Sequence, residues 1–124
     1  MVVCTLTDEE VDRLFQALAD RTRRDIVRRT MLDDASVSAL ARSYDMSFAA
    51  VQKHVAVLER AELVVKRRSG REQLVRCNVD TVRRAQQLLD QLESIWRDRL
   101  DRFEQLLAED RTTTTPLETE NPTP

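Results

Sequence analysis

Residues 36–77 read SVSALARSYDMSFAAVQKHVAVLERAELVVKRRSGREQLVRC, and the texture of the chain changes twice along them. Ser36 is placed to cap a short helix whose inward positions are Val37, Leu40 and Ala41. Tyr44, Asp45 and Met46 make a turn, and Ser47 caps a second helix with Val51, Val55 and Leu58 at i, i+4 and i+7 as its buried stripe. Two short helices joined by so brief a turn form a helix-turn-helix. Beyond Leu63 the spacing becomes extended: Leu63–Arg68 and Glu72–Cys77 flank Ser69-Gly70-Arg71, which predicts a β-hairpin. Gly70, the only glycine in the chain, stands where a tight loop demands positive φ. The expected fold is mainly α with a small β-hairpin, a winged helix-turn-helix.

Upstream, Thr7 and Glu10 have capping-box spacing, and Val11, Leu14, Phe15 and Leu18 repeat at helical intervals behind them. Asp20 caps a second helix in which Ile26, Val27 and Met31 are apolar and the arginines project outward, ending near Asp33 and Asp34. Downstream, Asp80 to Glu109 is helical in pattern without a breaker, long enough to span roughly 45 Å at the helical rise. Its apolar positions are Val82, Ala85, Leu89, Leu92, Trp96, Leu100, Phe103 and Leu107. Spacings of three and four make a coiled-coil-like stripe that asks for a partner helix. Residues 111–124 are polar and proline-bearing and read as a disordered tail, which leaves one domain over residues 7–110.

The chain of 124 residues carries a net charge of −2, yet the charge is unevenly placed. Residues 51–76 hold seven basic groups against three acidic ones, and residues 21–30 hold Arg21, Arg23, Arg24, Arg28 and Arg29 against Asp25 alone. Residues 1–20 and 93–124 are each net −4. Such separation suits a protein that turns one side toward phosphate, although ordinary solvated helix faces would also account for residues 21–30. No apolar run approaches the roughly 20 residues that span a bilayer, and the first residues lack the basic start and apolar core of a secretory signal. The expectation is a cytoplasmic protein with free thiols at Cys4 and Cys77 and no membrane partner. With one histidine, no glycine-rich phosphate loop and no nucleophile-elbow pattern, no constellation for catalysis is present, and the chain reads as a non-enzyme without a cofactor.

Two segments resemble the ArsR/SmtB-type winged-helix regulators of bacteria. Leu14-Phe15-Gln16-Ala17-Leu18-Ala19-Asp20-Arg21-Thr22-Arg23-Arg24-Asp25-Ile26 is similar to that family's F-x-A-L-A-D-P-T-R-R-x-I opening, with Arg21 in place of proline. Met46-Ser47-Phe48-Ala49-Ala50-Val51-Gln52-Lys53-His54-Val55-Ala56-Val57-Leu58 is similar to its M-S-x-x-A-V-S-K-H-L-x-V-L segment, with Gln52 in place of serine. Glu62 replaces the glycine of E-A-G-L-V, so a left-handed residue or a reshaped helix exit is expected there. The resemblance spans roughly residues 12–109. It implies a homodimer whose first and last helices pair, through Leu14, Leu18, Leu89, Leu92, Trp96, Leu100, Phe103 and Leu107, on a two-fold symmetric operator. It also implies repression relieved by an effector, here an unidentified small molecule.

The partner chemistry expected is duplex DNA. Away from its buried stripe the second helix of the motif presents Ser47, Phe48, Ala49, Gln52, Lys53 and Ala56. Gln52 can pair with adenine, Lys53 with guanine or phosphate, and Phe48 or Ala49 can touch a thymine methyl. His54 reads equally as a packed side chain or a phosphate contact. Arg67, Arg68 and Arg71 would follow the backbone or enter the minor groove. Metal sensing needs clustered thiolates or histidines, which are missing: the third helix reads Ser36-Val37-Ser38-Ala39-Leu40 and the last holds no histidine. Cys4 and Cys77 are either two inert thiols or a thiol switch across a dimer. Trp96, Phe103 and Tyr44 are either effector-pocket residues or core and dimer contacts. Another reading is a protein-interaction module that has left DNA, against which the basic segment argues.

Overall fold

The computed structural model describes the backbone of residues 6–119 and the side chains of residues 6–111. Four side-chain oxygens fix four helix starts by accepting from otherwise unpaired backbone N–H groups. Thr7 accepts from Glu10 N at 3.2 Å, and the Glu10 carboxylate accepts from Thr7 N, starting α1 (Asp8–Leu18). Asp20 accepts from Arg23 N at 3.0 Å to start α2 (Arg21–Leu32). Ser36 accepts from Ala39 N at 3.0 Å for α3 (Val37–Arg42), and Ser47 from Ala50 N at 3.1 Å for α4 (Phe48–Arg60).

The exit of α4 is a Schellman motif. Leu63 N donates to Leu58 O and Glu62 N to Glu59 O, both at 2.9 Å, while Leu58 and Leu63 are buried against one another's turn. Glu62 occupies the left-handed position with φ 61°, so the chain keeps the helix exit and places a side chain where glycine is favoured. Thr81, from the start of the last helix, donates to Glu62 O at 2.6 Å and ties the two ends together. Glu62→Gly relieves the left-handed conformation at some cost in unfolded-state entropy. It is expected to raise stability by roughly 0.5–1 kcal/mol, read as a higher urea midpoint at constant m. An unchanged midpoint would mean that Glu62 sits there without strain.

Strand β2 (Val64–Ser69) pairs antiparallel with β3 (Glu72–Cys77), from Val64↔Cys77 to Ser69↔Glu72, leaving Gly70 and Arg71 as a two-residue loop. Gly70 has φ 61° and Arg71 does not have positive φ, the pattern of a type II′ hairpin. A Cβ on Gly70 would meet nothing within 4 Å, so conformation and not space demands the glycine. Outside the hairpin expectation, a short strand β1 (Ala35–Ser36) pairs with the other edge of β3 and gives the sheet order β1-β3-β2. Two residues are too few to show an alternating pattern.

Leu14, Ile26, Leu40, Val51, Val55, Leu58, Leu63, Val64 and Val75 form the core where α1, α2, α3, α4 and the sheet meet. Leu14 is 1% exposed and belongs to this core, so it has no surface for a partner. That corrects its assignment to dimerisation: Ala17, next to it on the helix, is also buried, and the face of α1 left open carries Phe15 at 38% exposure. Leu18 is half-buried against the core.

The last helix, α5 (Val79–Thr119), is 41 residues long, about 60 Å at the helical rise. It takes in the first part of the segment read as a disordered tail, so residues 111–119 are helical, while residues 120–124 lie outside the described residues. Once a helix is nucleated each further threonine adds a backbone bond without a new nucleation cost, whereas Pro116 has no N–H and adds none. Only its first turns pack on the body of the domain, through Thr81, Val82 and Ala85. Beyond them Leu89, Leu92, Ile95, Trp96, Leu100, Phe103, Leu106 and Leu107 are 43–64% exposed.

Candidate nucleic-acid interface

The turn of the helix-turn-helix is held by charge. Tyr44 donates its hydroxyl to Asp25 Oδ2 at 2.6 Å, Arg29 Nε donates to the same oxygen at 2.7 Å, and Arg28 donates to Oδ1 at 2.7 Å. The Arg29 guanidinium also lies 5.4 Å from the Tyr44 ring centre. The Tyr44 hydroxyl, then Arg29 and Arg28, hold the Asp25 carboxyl well below the usual carboxylate range. Burial, and then the hydrogen bond to Asp25, push Tyr44 up to about 12. Asp25 binds its proton more weakly folded than unfolded, so its contribution is complete above its unfolded pKa of about 3.9 and fades as pH falls below that. Tyr44 binds its proton more tightly when folded, so its contribution is complete below about pH 10 and is lost as pH rises toward its folded value. Urea midpoints are expected to fall on acidification below about pH 4, and to fall less steeply in Asp25→Asn.

The arginines of α2 also turn inward. Arg23 donates to Ala17 O at 2.7 Å and Gln16 O at 3.1 Å, and Arg24 donates to Leu18 O at 2.7 Å. These carbonyls close the end of α1, where Gln16 O also accepts from Ala19 N at 3.2 Å, and the helix has no basic residue in its last turn. With Arg28 and Arg29 engaged by Asp25, four of the five arginines in residues 21–30 serve contacts within the chain. Arg23 further donates to His54 Nδ1 at 3.2 Å, and Asp20 Oδ2 lies 3.9 Å from the same nitrogen. With Nδ1 as the acceptor, the geometry assigns the neutral-ring proton to Nε2. His54, with a side chain 20% exposed, therefore sits in the seam between α4 and the α1–α2 junction.

On the opposite flank of α4, Ser47, Phe48, Ala49, Gln52 and Lys53 are exposed and Ala56 is half-buried. The hairpin arginines do not share one environment. Arg76 grips Asp34 through two bonds of 2.9 and 3.0 Å, holding that carboxyl below its ordinary range, and Arg67 approaches the same carboxylate at 3.9 Å. Lys66 pairs with Glu59 at 3.3 Å and ties the hairpin to the end of α4. Among the described cations of α4 and the hairpin, Lys53, Arg60, Arg68 and Arg71 have no ion-pair partner, and Arg60 stands apart at the far end of α4. Phe48 and Gln52 of α4 face Lys66, Arg71 and Gln73 of the hairpin across a cleft of about 220 Å³.

Cys77 is buried at 5% exposure, and burial pushes its thiol up, which disfavours the thiolate; Cys4 lies outside the described residues. Trp96 and Phe103 stand exposed on α5, whereas Tyr44 is tied to Asp25. Among the described residues no three His, Cys, Asp or Glu side chains converge as a metal site, and no helix is long and apolar enough to cross a membrane. What sequence reasoning missed is the Asp25–Tyr44–Arg29 cluster and the arginine caps on α1, whose partners are brought together by helix packing.

No family-wide sequence model matches the chain. It is 48% identical over 59 residues to the HTH-type transcriptional regulator Rv2034 of Mycobacterium tuberculosis, a match covering 48% of this chain and about half, 55%, of that relative. The crystal or solution structures it resembles include an ArsR-like transcriptional regulator from Rhodococcus sp. RHA1, with 30% identity and a TM-score of 0.71 over 79% of this chain and 92% of that one. The fold is shared with the homodimeric winged helix-turn-helix DNA-binding domain of Mb0332 from Mycobacterium bovis, at 24% identity and a TM-score of 0.57 over 77% of this chain and 91% of that one. With the Rhodococcus protein 30% identical and matched over 92% of its length, the chain belongs to the ArsR family of winged helix-turn-helix transcriptional regulators.

Proposed function

We propose that the protein is a sequence-specific transcriptional repressor that binds a two-fold symmetric DNA operator as a homodimer. The observation that carries the reading is the division of cations. Most of the arginines on α2 are satisfied within the chain, whereas Lys53, Arg68 and Arg71 lack ion-pair partners and belong to the exposed parts of α4 and the hairpin. In this reading α4 enters the major groove, with Ser47, Phe48, Ala49, Gln52 and Lys53 at the bases, and Arg68 and Arg71 reach the flanking backbone or minor groove. His54 holds α4 on α2, and Arg67 contributes less because Asp34 competes for it.

The exposed apolar face of α5 supports dimerisation, as does the homodimeric state of the Mycobacterium bovis domain. That face repeats every eleven residues: Leu89 and Leu100, Leu92 and Phe103, Ile95 and Leu106, Trp96 and Leu107. An eleven-residue repeat favours a pair of helices that run straight or coil to the right, not a left-handed coiled coil. Phe15 and Leu18 of α1 complete the dimer surface. Lys53, Arg68 and Arg71 of two subunits, each releasing counterions from one phosphate, make about six, so a plot of log affinity against log salt for a duplex selected from a random-sequence library should have a slope of about −5. A flat salt response would overturn the reading.

A further inference from the structure

Between Phe48 and Ala56 the surface of α4 that faces away from Val51, Val55 and Leu58 presents two rows, Phe48-Gln52-Ala56 and Ala49-Lys53. Three of these five side chains end in plain carbon. Ser47, at the head of the helix, has its oxygen engaged by Ala50 N, and the only arginine of the helix, Arg60, is its last residue. The bidentate arginine–guanine pair, the commonest specific contact in the major groove, is therefore absent from the exposed start of α4. In its place stands Phe48, which lines the cleft together with Val37 and Val55 and leaves 47% of its surface open.

A major-groove floor offers hydrogen-bonding groups at every base pair and one apolar group, the C5 methyl of thymine. Exposed aromatic and methyl carbon gains nothing from the polar edges and gains from that methyl. Gln52, between Phe48 and Ala56 in its row, carries the amide that pairs with adenine, whose partner base supplies the thymine. Resting on the DNA-reading assignment above, we infer that the centre of each operator half-site is a short A·T run recognised chiefly through thymine methyl groups. Phe48 is the main contact and Ala49 and Gln52 stand beside it.

The test compares two versions of one duplex, the best binder recovered from a random-sequence library, prepared once with thymine and once with uracil, which lacks only the methyl. At constant salt the wild type should bind the uracil duplex more weakly by about fourfold for each methyl contacted, the worth of one buried carbon. The difference should shrink to under about twofold in Phe48→Ala and largely persist in Phe48→Leu, with melting curves confirming that both variants fold. Equal wild-type affinity for the two duplexes would overturn the inference. So would an equal penalty in wild type and Phe48→Ala, because the methyls would then act through duplex shape and not through this side chain. If the library yields no bound duplex at all, the DNA-binding assignment itself falls, a result distinct from either of these.

Discussion

Replacing Leu92 and Leu100 together by glutamate is expected to leave the protein monomeric and to weaken operator binding by roughly a hundredfold or more. Both side chains are exposed on α5, beyond the turns that pack on the core, so the winged domain should stay folded and melt lower only by the stabilisation that dimerisation adds. The loss comes from geometry. Two linked reading helices bind with the second site held at high effective concentration, and separated subunits must each bind alone. Like charges placed along an apolar seam also repel across the symmetry axis, which bars re-association. Sedimentation and gel-shift measurements on the same preparation decide the matter. A variant that stays dimeric would move the interface elsewhere, and a monomer with full operator affinity would separate dimerisation from DNA binding.

The second large effect concerns Arg68 and Arg71. Changing both to alanine removes four unpaired cations from the dimer and should reduce the salt slope from about −5 to about −2. At physiological salt this corresponds to a loss of roughly 10²–10³ in affinity, spread evenly over operator and unrelated duplex, since phosphate contacts carry no sequence information. Arg67→Ala should cost much less, because its guanidinium already lies near Asp34. If Arg67→Ala proved as damaging as the double change, the ion pair to Asp34 would not survive on DNA, and the division between free and tethered arginines would fail.

Much of this fold is legible in the sequence because its signals are short-range. Thr7, Asp20, Ser36 and Ser47 each act on a backbone N–H three residues on, and Gly70 marks its own turn, so those elements stand where the spacing puts them. What depends on packing is hidden. Leu14 and Phe15 are neighbours on an amphipathic helix, and which of them enters the core follows from where α2 and α4 lie. Asp25 and Tyr44 are 19 residues apart, and nothing local announces that a helix carboxylate will hold the helix-turn-helix turn. The basic run in residues 21–30 shows the same limit: the count of arginines is plain, but that Arg23 and Arg24 cap the end of α1 emerges only when the helices dock. At the candidate interface the composition of the reading face is legible from the i, i+4 pattern. The inequality of Arg67, Arg68 and Arg71 is not, because it rests on Asp34, more than thirty residues upstream.

Hydroxyl-radical footprinting on a selected operator tests the central claim, that two copies of α4 read DNA at a distance fixed by α5. Two symmetric patches of protection are expected on one face of the duplex, centred about one helical turn or a whole multiple of it apart, and they should vanish together in the Leu92→Glu, Leu100→Glu protein. A single unpaired patch, or protection that persists unchanged in that variant, would contradict that claim.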